Sequence, residues 1–250
     1  MKPGLTLCII LMGALIFPQF SLAAPPHLLV GSVSEDTKNG VNAKILTAIA
    51  ASIDADIIFK YAPFKRRLIM MKNGDIDMSC GLLKNNERAE YIHYILPPYK
   101  NRSDTIFFVK KGQAGRIKTY EDLAGLKIGV IRGARFFEQF DTDQTSNKDY
   151  CEQTTTNFRK LIFNRVDTVI SNEAAGIDII HRLGISNQVE MSNFRFSKEK
   201  HVYIGISKKS HLMDKIHLLE PRIKEMINTQ KISQIITRHY RELGVPVPAF

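Results

Sequence analysis

Strand-like and helix-like segments alternate along almost the whole chain, and this constrains the fold more than any other feature. Leu28 to Val30 is a short apolar strand. Ile45, Ile49 and Ile53 then recur at every fourth position with Leu46 beside them, which makes one buried helical face. Residues 56–61 (DIIFKY) read as a strand, 65–72 as a helix, and 76–80 as a strand ending at Gly81. Residues 105–109 are rich in β-formers. The same grammar then restarts. Thr119 caps a short helix with Asp122 three residues on. Residues 127–131 form a buried strand that runs through Gly133 into a helix, and 141–150 form a polar loop. A helix at 156–164, a strand at 167–171 and a helix at 173–183 stopped by Gly184 follow. The chain closes with a strand at 202–207 and helices at 212–228 and 232–243, Pro221 beginning or kinking part of the first.

Strands separated by helices predict parallel sheets covered on both faces. A faint internal echo suggests two similar units. Asn73-Gly74-Asp75-Ile76-Asp77 and Asn164-Arg165-Val166-Asp167 each close a helix and open a strand. Ligands of such sheets bind where strand carboxyl ends and helix N-termini converge.

The N-terminus reads as an export signal. Lys2 is followed by an uncharged apolar run, Leu5 to Phe17, and Ser21-Leu22-Ala23 presents small residues at alternate positions. The run is shorter than the roughly 20 apolar residues a membrane span needs, so cleavage after Ala23 is expected and a buried N-terminal helix is the alternative. Cys8 leaves with the signal, and Cys80 and Cys151 remain. Without Lys2 the chain keeps 34 Lys and Arg against 25 Asp and Glu, a net charge of +9. These charges are scattered in short groups such as Lys65-Arg66-Arg67 and Lys110-Lys111. They are not interleaved with aromatics as a nucleic-acid platform requires. A solvated basic surface is expected, with a field that attracts small anions, and no nucleic-acid partner. No metal-ligand spacing, cofactor motif or GxSxG elbow is visible.

Glu87-Arg88, Tyr91 and Pro97-Pro98-Tyr99 follow the strand that ends at Cys80. With residues 74–77 upstream and Leu123 to Val130 downstream, this order resembles the extracytoplasmic solute-binding proteins of family 3, the polar amino-acid receptors of ABC importers. The resemblance runs from Leu28 to Gly244. It implies an α/β fold of two Rossmann-like lobes joined by two crossing strands, the type II periplasmic binding fold, with the ligand in the cleft. Lobe 1 would be residues 24–102 and 203–250, and lobe 2 residues 103–202. Cys80 and Cys151 would then sit in different lobes and stay unpaired, because a disulfide between lobes blocks hinge motion.

Position by position, the resemblance assigns Arg88 to the ligand carboxylate, a task its planar guanidinium suits, with a surface salt bridge as the alternative. It places Phe64 in the lobe 1 lining and Cys80 and Gly81 at the strand end facing the ligand. Elsewhere the sequence departs from the family pattern. Leu83 replaces a hydroxyl, Arg135 stands where a Thr is usual, and Asn172 stands where an Asp receives the ligand ammonium, with Glu173 adjacent. The cleft thus loses a negative charge and gains a cation, which favours an acid over a zwitterionic amino acid unless Glu173 turns inward. The expected activity is capture of a small polar, carboxylate-bearing ligand by a monomeric periplasmic protein for an ABC permease. Two alternatives remain: a sensing module for a membrane receptor kinase, and a cyclohexadienyl dehydratase-like enzyme using Glu173 as its acid.

Overall fold

The computed structural model describes residues 27–250; the export signal read at residues 1–23 lies outside the described residues. The chain opens with β1 (His27–Val33), α1 (Val41–Ala51), β2 (Ala55–Tyr61), α2 (Phe64–Asn73) and β3 (Met78–Leu83). A short helix, α3 (Asn86–Ala89), and the strands β4 (Ile92–Tyr94) and β5 (Lys100–Arg102) follow. Next come β6 (Thr105–Lys110), β7 (Lys127–Ile131), α4 (Glu138–Thr142), β8 (Asn147–Cys151) and α5 (Thr154–Ile162). Then β9 (Thr168–Asn172), α6 (Glu173–Leu183) and β10 (Val189–Phe196) lead into β11 (Glu199–Ser207), α7 (Ile216–Asn228) and α8 (Lys231–Glu242).

Two α/β lobes result, each built on its own sheet. The first sheet has the order β2-β1-β3-β11-β4, with β5 also paired to β11; the second has the order β10-β6-β9-β7-β8. Both are mixed, not wholly parallel as the helix–strand alternation predicts. The pairs β1–β2, β1–β3, β7–β8 and β7–β9 are parallel, whereas β11, β6 and β10 run antiparallel to their neighbours. The antiparallel strands are those that carry the chain between lobes. It crosses once at residues 103–104 and returns at 197–198, so β11 pairs with the first sheet from Glu199 onward.

The sequence echo is a repeated structural device. In the first lobe, Asp77 N–H donates to the Val30 carbonyl at 2.8 Å, and Val30 N–H donates to Asp77 Oδ2 at 2.7 Å. In the second, Asp167 N–H donates to the Lys127 carbonyl at 2.8 Å, and Lys127 N–H donates to Asp167 Oδ2 at 2.8 Å. Each aspartate thus clamps the incoming third strand to the first strand of its unit. The preceding helices end alike, with Gly74 and Asn164 both in the left-handed region (φ 86° and 56°). Such a residue closes a helix by freeing the chain to turn back.

Two local expectations need correction. No helix starts at Gly133, whose φ of 78° breaks the run; residues 134–137 are irregular and α4 begins at Glu138. Phe136 N–H donates to both Asp141 oxygens at 3.1 Å, which ties this segment down outside the helix. The polar loop expected at 141–150 overlaps β8, an edge strand that exposes Asn147 and Tyr150 and carries Lys148 and Asp149 between them. Apolar side chains fill both faces of each sheet, with Leu29, Ile45, Ile49 and Tyr240 in the first lobe and Phe107, Phe140 and Ile128 in the second. No helix among the described residues is long and apolar enough to cross a membrane.

Candidate ligand-binding site

A cavity of about 210 Å³ lies between the lobes, lined by Phe64, Cys80, Gly81 and Arg88 from the first lobe and by Arg135 and Asn172 from the second. That size suits a small metabolite, being below the roughly 300–1,000 Å³ of drug-sized sites. Glu173, next in sequence to Asn172, does not line it. Its carboxylate receives Arg195 in a bidentate pair at 2.7 and 2.8 Å. Arg195 also donates to Asp104, which is held in turn by Arg102. This four-residue network braces the crossing strands and keeps Glu173 away from the cleft.

The remaining residues are positioned by identifiable local causes. Asn85 caps α3 by accepting the Arg88 N–H at 2.8 Å, which fixes the start of that helix. The Arg88 side chain is buried. Its Nη1 donates to the Leu83 carbonyl at 3.2 Å, and its guanidinium lies 5.3 Å from the Phe64 ring centre. It forms no salt bridge with Glu87. Gly81 adopts φ 79°, and a side chain there would press on Asn42, so β3 turns its backbone toward the cavity at a position only glycine fills readily. Cys80 is buried with Sγ 3.4 Å from the Asn42 carbonyl, and burial pushes its thiol up to about 12. It is therefore a neutral wall group. Cys151 is a separate free thiol on β8. Asn172 caps α6, its Oδ1 accepting the Ala175 N–H at 2.8 Å, and Arg135 is exposed at the rim.

Three further cations line the cavity that sequence reasoning passed over: Arg67, Lys100 and Lys200. Arg67 lies one turn beyond Phe64 on α2, its guanidinium 5.3 Å from the same ring. Desolvation pushes it down to about 10, and its Nε has no hydrogen-bond partner. Lys100 is buried and its pKa is lowered by desolvation. Lys200 donates to the Phe136 carbonyl at 2.6 Å and to Thr105 Oγ1 at 3.4 Å. Among the described residues, no carboxylate lies within 4 Å of any of the five basic groups. The spacing of Phe64 and Arg67, three apart on one helix, was the available sequence signal. Lys200 had none.

Among the described residues, two carboxylates line the cavity, Asp36 and Asp178, and both already have partners across the lobes. Asp36, from the loop after β1, accepts the Thr155 N–H at 3.2 Å and its hydroxyl at 2.8 Å, so it caps α5 of the other lobe. Asp178 of α6 lies 2.9 Å from His239 Nε2 of α8, and Tyr240 donates to the Ala174 carbonyl at 3.3 Å. These bonds hold the lobes together around the cavity.

Two α/β lobes, two crossing strands and a polar cavity between them define a type II periplasmic binding fold. The chain belongs to the bacterial extracellular solute-binding proteins, family 3, which match residues 25–242. The amino acid ABC transporter substrate-binding protein AbpA of Streptococcus pneumoniae, solved bound to L-arginine, superposes with a TM-score of 0.70 at 19% identity over 86% of this chain and 94% of its own. A P235GK mutant of ArgBP from T. maritima gives 0.72 at 19% identity, covering 86% and 95%. An arginine 3rd transport system periplasmic binding protein from Legionella pneumophila gives 0.69 at 17%, covering 86% and 100%. At these identities the likeness speaks for the fold. Comparison with curated proteins returned no match. Family membership makes this an extracytoplasmic protein that binds a solute.

Proposed function

We propose that this protein captures a small acid in the periplasm, after cleavage behind Ala23, and presents it to an ABC permease without transforming it. The observation that carries this reading is the cavity's charge: five basic side chains against two carboxylates already held by Thr155 and His239. A ligand ammonium would find no free carboxylate, whereas an acid would meet Arg88 from one lobe and Arg135 from the other. Unliganded, those cations repel one another; a carboxylate between them favours closure. The dehydratase alternative needs a carboxylic acid over the substrate, and the pairing of Glu173 with Arg195 argues against it. A thermal-shift panel tests the reading. Small acids should raise Tm, and Arg88→Ala and Arg135→Ala should each weaken binding roughly 10- to 100-fold, the value of a charge-assisted hydrogen bond. Stabilisation by cationic or neutral solutes but not acids would overturn it.

A further inference from the structure

We infer that the ligand carries two anionic groups, the second seated at Arg67 and Lys100 of the first lobe, apart from the Arg88–Arg135 pair. This inference rests on the anionic-ligand reading and narrows it. Arg67 projects from α2 and Lys100 from β5, and both line the same cavity as Cys80. The contacts Arg67 makes with protein are long, 3.4 Å to Ser79 Oγ and 3.5 Å to the Ser32 carbonyl, and its Nε has none. Lys100 is buried with its ammonium 5.8 Å from the Tyr99 ring centre, and it makes no hydrogen bond to a described residue. Two poorly partnered cations lining one cavity are costly in the empty protein. An anionic group placed between them removes that cost. Charge counting agrees. The five cations exceed the two carboxylates by three; a single carboxylate would leave two uncompensated, a dianion one.

The second group is a carboxylate or a phosphonate-like oxyanion, since both offer several acceptor oxygens to a guanidinium and an ammonium. Calorimetric titration with succinate, glutarate and adipate, each matched to butyrate, valerate and hexanoate, separates one-charge from two-charge recognition. Adding 3-phosphonopropionate separates the two oxyanions. At least one two-charge ligand should bind about tenfold or more tightly than its matched monoacid. Arg67→Met and Lys100→Met should each shrink that ratio to within about threefold, and apo Arg67→Met should melt no lower than wild type because no ion pair is broken. Equal binding of mono- and diacids, or a ratio unchanged in both variants, overturns the inference. If mono- and diacids bind equally and Arg88→Met weakens both, the anionic reading stands and only the second subsite falls. If L-arginine or neutral solutes bind and no acid does, both fall.

Discussion

Asp104 shows how one residue fixes the geometry of a hinge. It lies on the first crossing with its side chain fully enclosed, and it accepts Arg102 at 2.7 and 2.8 Å and Arg195 at 2.7 Å. Burial alone would raise its pKa, but the hydrogen bonds from Arg102, Arg195 and Ser197 prevail and hold it at about 2. A folded value below the unfolded carboxylate value of about 3.9 contributes stability above that pH, and the contribution is lost as pH falls through the folded value. Asp104→Asn should therefore cost about 2 kcal/mol near neutrality. In urea unfolding, the gap to wild type should close between about pH 4 and pH 2; a gap constant over that window would mean the carboxylate is not the stabilising group. At this scale the sequence was partly readable. Arg88 and Phe64 are visible through their place in a family-like order. Arg67 has only its three-residue spacing from Phe64 to mark it, because Lys65-Arg66-Arg67 looks like an ordinary charged surface, and the packing of α2 turns one of the three inward. Glu173 misleads for the opposite reason: Arg195, its partner, lies 22 residues away.

Among elements, the repeated aspartate clamp was legible because it is local in sequence: a helix end, a left-handed residue, then Asp at the mouth of a strand. Its energetic weight differs between the lobes. Asp77 is buried and also accepts the Ser210 hydroxyl at 2.5 Å, whereas Asp167 is half-exposed beside Arg116. Asp77→Ala leaves two donors without a partner and should cost about 3 kcal/mol; Asp167→Ala, open to water, should cost about 1 kcal/mol. Chemical denaturation of both variants checks the order, and equal losses would contradict it. Strands β4, β5 and β8 escaped notice because they are three to five residues long, and β5 and β8 are also largely polar. The strand β10 gives little signal alone, since its hydrogen bonds come from β6, about 80 residues earlier. The mixed sheets instead follow from the direction of β6 and β11, strands that are visible in the sequence but whose orientation is set by the crossings between lobes.

For the whole molecule, binding and closure are one equilibrium. Asp36 reaches from the first lobe to cap α5 of the second, so its bonds exist only when the lobes meet. Losing such a cap costs about 1 kcal/mol. Asp36→Ala should thus lower ligand affinity roughly fivefold through the closed state. Titration with an acid from the panel checks this, and unchanged affinity would show that the contact does not bias closure. The central claim is that the cavity selects an anion although solved proteins of the same fold were captured with arginine. The most direct measurement is mass spectrometry of the small molecule released on unfolding protein that was purified natively from its own periplasm. The account predicts an acid with net negative charge in near-stoichiometric amount. Release of arginine or another cationic amino acid in that amount would contradict it.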